Sequence, residues 1–195
     1  MAAYAEAAAT ISGVDDFDAT LAAAQRGDEV AFTQLFRALN PAVLRYLRVL
    51  AGPSLCEDLA AETWVAALRT FPSFTGNERA LRAWLLTIAR ARWVDAVRAQ
   101  ARRPELVTDT TPETPAGDDV HAIVEAGMST DLALGLIGRL PPDQAEVITL
   151  RVVAQLDVGE VAELTGKTPN HVRVLAHRGL KRLAQLLEQQ PDPSL

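Results

Sequence analysis

Along almost the whole chain apolar residues return every three or four positions, and no run shows the period-two alternation of a half-buried strand. That pattern restricts the fold to packed helices. Asp28–Leu39 places Val30, Ala31, Leu35 and Leu39 at helical spacing, and Pro41 is expected to restart the chain into a second helix reaching about Leu50. Gly52-Pro53 ends it, and Ser54-Leu-Cys-Glu57 has the spacing of a capping box for a helix from about Leu55 to Arg69. After the turn-rich Phe71-Pro-Ser-Phe-Thr-Gly-Asn77, a long helix is expected from about Glu78 to Arg103, where Pro104 halts it. Asp131–Gly138 reads as a short helix, Pro141-Pro142-Asp143 opens another, three more helical segments follow, and Gln189–Leu195 is a polar tail.

Composition sets the outer bounds. With 195 residues, 49% of them hydrophobic, the chain has room for one large domain or two small ones. The longest stretch free of Asp, Glu, Lys and Arg is eight residues, against the roughly 18 that a spanning helix needs, so no membrane insertion is expected. The start, Met1-Ala-Ala-Tyr-Ala-Glu6, lacks the basic and apolar regions of a secretory signal, and Cys56 alone builds no disulfide framework. The expectation is a soluble, cytoplasmic protein.

The net charge of −6 conceals a segregation along the chain. Residues 1–30 carry −5, residues 31–104 carry +6, residues 105–138 carry −7 without a single Lys or Arg, and residues 139–195 are neutral. Residues 105–130 also contain Pro112, Pro115, Gly117 and Gly127, the composition of a weakly ordered linker. The organisation read from this is all-α: an N-terminal extension (1–17), a helical domain (18–104), an acidic flexible linker (105–130) and a second helical domain (131–190).

The strongest motif is a helix-turn-helix at Val158–His177. Ala162 permits close helix approach, Gly166 supplies the turn, Thr168 is an N-cap and Pro169 a first helical residue. Val172, Leu175, Ala176, Gly179 and Leu183 cluster on one side of the second helix, while Asn170, Arg173, Val174, His177 and Lys181 lie opposite, with Arg178 at the edge. Residues 167–182 hold five Lys or Arg and no acid, whereas Asp143–Glu163 holds five acids and one base. Basic charge is thus gathered on the element that would enter a major groove. An amphipathic surface helix is the plainer alternative. By chemistry Arg173, Arg178 and Lys181 suit phosphates or guanine edges, and Asn170 and His177 suit base edges.

With these residues in view the sequence resembles the extracytoplasmic-function class of bacterial RNA polymerase sigma factors, within the sigma-70 family. The resemblance rests on Asp28–Phe36, Glu57-Asp-Leu-Ala-Ala-Glu-Thr-Trp64, Phe71-Pro-Ser-Phe, Arg82-Ala-Trp-Leu-Leu-Thr-Ile-Ala-Arg90 with Asp95, then Leu140-Pro-Pro-Asp-Gln-Ala-Glu-Val-Ile-Thr-Leu-Arg151 and Val158–Leu183. It implies that the first domain, sigma region 2, serves the −10 promoter element and the second, sigma region 4, the −35 element. It implies docking of Asp58, Leu59, Glu62 and Trp64 on the clamp coiled coil of the polymerase largest subunit, with Asp58 and Glu62 as charged contacts and Leu59 and Trp64 as packing. It implies a flap contact, promoter DNA and an anti-sigma factor as partners. Ser73, Phe74, Thr75, Gly76 and Asn77 match the loop that captures an unstacked −10 base, with Arg90, Arg92 and Arg98 nominated on the helix behind it. Thr168, Asn170, His171, Arg173, Val174, His177, Arg178 and Lys181 form the −35 set. Trp84 and Trp93 are open between base stacking and core packing.

Two residues depart from the pattern. Ala61 stands where the family commonly has Gln, and Leu175-Ala176 where it has a basic residue and a larger apolar one, so the −35 sequence cannot be copied from relatives. The acidic linker is expected to occupy the RNA path of the polymerase, with a simple solubilising tether as the alternative. No catalytic, metal or cofactor motif is found: there is no P-loop, GxGxxG, GxSxG or HExxH, and His121, His171 and His177 suggest no cluster. A stand-alone helix-turn-helix regulator is the rival reading, distinguished by whether core polymerase is needed.

Overall fold

Asp28 starts one of the two long helices of the N-terminal bundle by accepting hydrogen bonds from the backbone of Val30 and Ala31, both at 2.9 Å. The computed structural model describes residues 16–102 and 130–189. Eight α-helices appear among them: α1 Phe17–Gln25, α2 Glu29–Ala51, α3 Cys56–Leu68, α4 Glu78–Ala101, α5 Thr130–Gly138, α6 Pro142–Ile148, α7 Val158–Thr165 and α8 Pro169–Glu188. No strand occurs among the described residues. Most of the extension, nearly all of the acidic linker and the end of the polar tail lie outside them.

Three local expectations need correction or extension. Pro41 does not divide two helices; α2 runs through it from Glu29 to Ala51. Leu35, Leu39, Ala42, Val43, Tyr46 and Leu47 form one buried stripe on both sides of the proline, and this continuous burial outweighs the lost backbone donor. Arg45 Nε also donates to the Pro41 carbonyl at 3.0 Å, one turn further along the same helix. Nor is there a capping box at Ser54: α3 begins at Cys56, its N-cap is Leu55 without a side-chain bond, and Ser54 sits in the preceding turn. Finally α1, unmarked by strong periodicity, is a real helix started by Asp16, whose carboxylate accepts from Ala19 N at 3.0 Å.

The N-terminal bundle closes around Tyr46, Leu47, Leu81, Leu85 and Leu86, all essentially inaccessible. Phe32 meets Trp64 and Phe71 edge-on, at centroid distances of 6.0 and 5.9 Å, locking α2 to α3 and to the turn after it. In the C-terminal block Val147, Ile148, Leu150, Leu156, Val161 and Val172 make the interior. A wide helical turn, Thr149–Val153, follows α6, and Gln155 then adopts φ +59°. Arg151 Nη1 donates to the Leu156 carbonyl at 2.6 Å and holds that bend, which aims α7.

The two blocks do not hang free. Val147, Leu150 and Leu156 belong to the same hydrophobic cluster as Tyr46, Leu47 and Leu86, and Val49 of α2 packs on Ile137, Leu140 and Ile148. The C-terminal block is internally tight as well: α8 crosses α6 at Gly179, where an added Cβ would lie 2.7 Å from Ile148 Cγ1 and 3.2 Å from its Cδ1. Ile148 is 1% exposed and has no room to retreat. Gly179→Ala should therefore cost about 1–3 kcal/mol of overpacking, more than the roughly 1 kcal/mol that helix propensity returns. Thermal unfolding checks this: a lower midpoint is expected, and a raised one would contradict the tight crossing.

Candidate nucleic-acid interface

The C-terminal helix pair is set by interactions that span only a few residues. Asp157 Oδ1 accepts from Glu160 N at 2.9 Å, while Glu160 Oε2 accepts from Asp157 N at 2.6 Å, a reciprocal cap that starts α7. Gly166, at φ +69°, ends α7 in the left-handed region that a glycine enters freely. Thr168 Oγ1 accepts from His171 N at 3.2 Å and Pro169 begins α8. Val172, Leu175 and Gly179 face inward, so Asn170, His171, Arg173, Val174, His177, Arg178 and Lys181 are all exposed. The structure brings the eight nominated residues of this helix and its cap into one solvent-facing array, with the Thr168 hydroxyl committed to capping. Val174 and Leu180 add apolar surface, 38% and 50% exposed.

The second nominated surface is the loop before α4. Phe71 is buried and anchors it, and Phe74 is half-buried against Trp84 at a centroid distance of 5.2 Å. Trp84 therefore braces the loop from beneath. Asn77 Oδ1 accepts from Ala80 N at 2.9 Å and caps α4, leaving its amide N–H groups for another partner. Gly76 has φ +149°, and a Cβ there would lie 2.9 Å from Ala80 Cβ, so this position needs glycine. Ser73, Thr75, Gly76 and Asn77 are exposed. Sequence reasoning missed Gln25: its Nε2 donates to the carbonyls of Phe71 at 3.0 Å and Phe74 at 2.7 Å, clamping the loop to α1. No local signal marks it, because its partners are 46 and 49 residues away.

The three arginines nominated on α4 divide. Arg98 is exposed, and Arg92 is half-buried beside Asp95 at 3.6 Å. Arg90 instead turns to the other block, where its Nε donates to Glu146 Oε1 at 2.8 Å. On α3, Asp58 and Glu62 are exposed one turn apart beside Val65 and Leu68, which are 58% and 49% exposed. Leu59 and Trp64 lie beneath them in the core, Trp64 Nε1 donating to Asn40 Oδ1 at 2.9 Å. The result is an acidic strip with an apolar floor on an outer helix face, a composition suited to a protein partner. Among the described residues no group of His, Cys, Asp and Glu is arranged to hold a metal ion, and no helix is long and apolar enough to cross a membrane.

Comparison with known proteins finds a family match for each of the two helical blocks. The Sigma-70 region 2 family model matches residues 35–103 and the Sigma-70, region 4 model matches residues 131–183. The ECF RNA polymerase sigma factor BldN of Streptomyces coelicolor is 34% identical over 169 residues, covering 84% of this chain and 63% of that protein. The ECF RNA polymerase sigma factor ShbA of Streptomyces griseus is 35% identical over 177 residues, covering 85% of this chain and 92% of its own. The chain thus spans somewhat under two thirds of the first relative and nearly all of the second. Among solved structures, the sigma factor RpoE of Bartonella quintana, in complex with the anti-sigma factor NepR, shares the fold with a TM-score of 0.65 and 24% identity, over 82% of this chain and 98% of that one.

The cap that aims the helix pair is ionised. The Asp157 carboxyl is held below its ordinary value of 3.8, chiefly by the Glu160 backbone N–H, with further help from the Gly159 N–H and the charges of Arg79 and Arg151. A carboxylate depressed in the folded state stabilises the fold above its unfolded value and loses that contribution as pH falls through the folded one. Asp157→Ala should melt below the parent chain at neutral pH, and the gap should narrow once pH drops under 3.8. A gap that persists unchanged in acid would rule out the charge as its source.

Proposed function

This chain belongs to the ECF RNA polymerase sigma factors, and on that premise we propose that it binds core RNA polymerase and directs it to promoters through two separate DNA-reading surfaces. The observation that carries the reading is the exposed array on α8, presented over a buried Val172–Leu175–Gly179 seam. In the −35 major groove Arg173, Arg178 and Lys181 meet phosphates or guanine edges, Asn170 and His177 meet base edges, and Val174 lies against a thymine methyl. His171 and Thr168 sit at the helix start, where backbone N–H groups favour a phosphate.

At the −10 element the loop Ser73–Asn77 takes an unstacked base. A loop already held by Gln25, Phe71, Phe74 and the Asn77 cap loses little conformational entropy on doing so, and this offsets part of the cost of unpairing. Arg92 and Arg98 track the backbone beside it. Asp58 and Glu62, with Val65 and Leu68, form the face for the polymerase clamp, and Leu59 and Trp64 hold that face in shape. The second block also meets the polymerase flap, and an anti-sigma factor regulates the whole. Promoter binding and strand opening need no covalent step. The relatives are sigma factors, so a stand-alone regulator finds no support among them.

Transcription with sigma-free core polymerase tests the reading: defined start sites should appear only when the chain is added. Arg173→Ala should weaken −35-dependent initiation by roughly tenfold, the effect of about 1–3 kcal/mol for a lost contact. Gln25→Ala should slow formation of the open complex while leaving α8 binding to duplex DNA unchanged, measured by permanganate footprinting and gel shift respectively. Unaltered opening would remove Gln25 from the loop's support.

A further inference from the structure

Arg82, on the second turn of α4, is a cation only 7% exposed. Its Nη2 donates to Glu78 Oε1 at 2.7 Å, one turn back on the same helix. Its Nε is buried and has no hydrogen-bond partner among the described residues. A buried donor without an acceptor is costly, and more so when the group is charged. A second guanidinium stands close by. Arg45 of α2 is half-buried, and its Nε is committed to the Pro41 carbonyl of its own helix. Burial, and next the charge of Arg82, hold the Arg45 guanidinium below its ordinary value. Two cations therefore repel each other between α2 and α4, and among the described residues Glu78 is the one carboxylate paired with either.

Positive charge gathered in a partly desolvated place, with a donor left over, calls for an anion. The donor geometry narrows which anion. A guanidinium offers Nε and Nη2 side by side as a fork for two oxygens, and Glu78 occupies only the Nη2 prong of Arg82, through one oxygen. The terminal nitrogens of Arg45 approach from another helix, so no single plane contains both sets of donors. A planar carboxylate fills one fork, whereas a tetrahedral phosphate has oxygens to give to both. We propose that Arg45 and Arg82 form a binding site for the terminal phosphate of a small molecule, inorganic phosphate or a phosphomonoester, with Glu78 as its built-in competitor.

The depth of the site separates a small ligand from a nucleic acid. The Arg82 side chain is 9% exposed and that of Glu78 33%, so the ligand enters from the Glu78 side and reaches inward. A phosphate within a nucleic-acid backbone carries a nucleoside on each side and is held at the surface; a terminal phosphate is free to sink. None of Arg45, Glu78 and Arg82 belongs to the DNA-reading or polymerase-facing sets, so the site stands whether or not the promoter reading does. Phosphate and the Glu78 carboxylate repel, so binding frees Glu78 into solvent. It also replaces repulsion between α2 and α4 by a shared anion, which stabilises the bundle by linkage.

The test is a phosphorus NMR titration of the full-length chain with inorganic phosphate and with ribose 5-phosphate, at an ionic strength fixed by chloride. Binding should saturate, and the thermal unfolding midpoint should rise with the ligand and not with chloride. Binding of either probe upholds the site, and the tighter one names its source. Arg45→Gln should weaken binding by roughly tenfold, the loss of one charge-assisted contact. Glu78→Gln removes the competitor and should tighten binding severalfold, a response that phosphate held on the basic face of α8 would not give. Arg82→Gln should abolish it, and where that variant fails to fold the Arg45 and Glu78 variants decide. No saturable binding to the parent chain would overturn the proposal, as would binding that neither Arg45→Gln nor Glu78→Gln alters. An oligonucleotide without terminal phosphates that binds more tightly than both probes, and loses that affinity in Arg45→Gln, would also overturn it by giving the pair to a nucleic-acid backbone.

Discussion

A carboxylate buried among apolar side chains must find donors, and in this protein Glu146 finds them only on the other side of a domain boundary. Tyr46 and Arg90 reach it from two different helices, so the register of α2 against α4 and the placement of α6 are fixed together. Burial and the neighbouring carboxylate hold the Tyr46 phenol well above its ordinary value, so it stays protonated and remains a donor. Everything aimed by α6, through the wide turn at Thr149–Val153 to the helix pair beyond, inherits its direction from that point.

What could be read from the sequence is what is local. The helix-turn-helix was legible because its determinants lie within a few positions of each other: Asp157 with Glu160, Gly166 at the turn, Thr168 with His171, and Val172, Leu175 and Gly179 at helical spacing. The same local grammar misled where tertiary burial overrode it. Pro41 is a helix breaker by propensity, but the stripe from Leu35 to Leu47 needs one unbroken helix to bury it. Ser54 and Glu57 have capping spacing, but Ser54 and Leu55 both lie in the turn before α3 begins at Cys56.

Long-range partners left no trace at all. Gln25 bonds 46 and 49 residues away, Arg90 bonds 56 residues away, and Arg79 bonds 81 residues away. Composition alone makes Arg79 and Arg90 part of a basic block; only the fold reveals that each has an acidic partner in the other block. For the same reason Trp84 and Trp93, open between base stacking and core packing from spacing, resolve into a brace under the loop and a half-buried residue packed on the core.

A net charge of −6 would argue against nucleic-acid binding if charge acted as a sum. It does not, because at physiological ionic strength a charge is felt over about 8 Å, the spacing of neighbouring side chains and far less than the width of this molecule. A phosphate backbone brought to α8 would therefore meet its four basic residues, Arg173, Arg178, Lys181 and Arg182, and not the acids elsewhere in the chain. Those acids act at equally short range and do separate things: on α3 they flank an apolar strip, on α7 they cap a helix and hold Arg79, and on α6 one of them is buried between two blocks. An acidic protein with a basic reading helix is consistent physics once each charge is assigned to the surface within its own screening length.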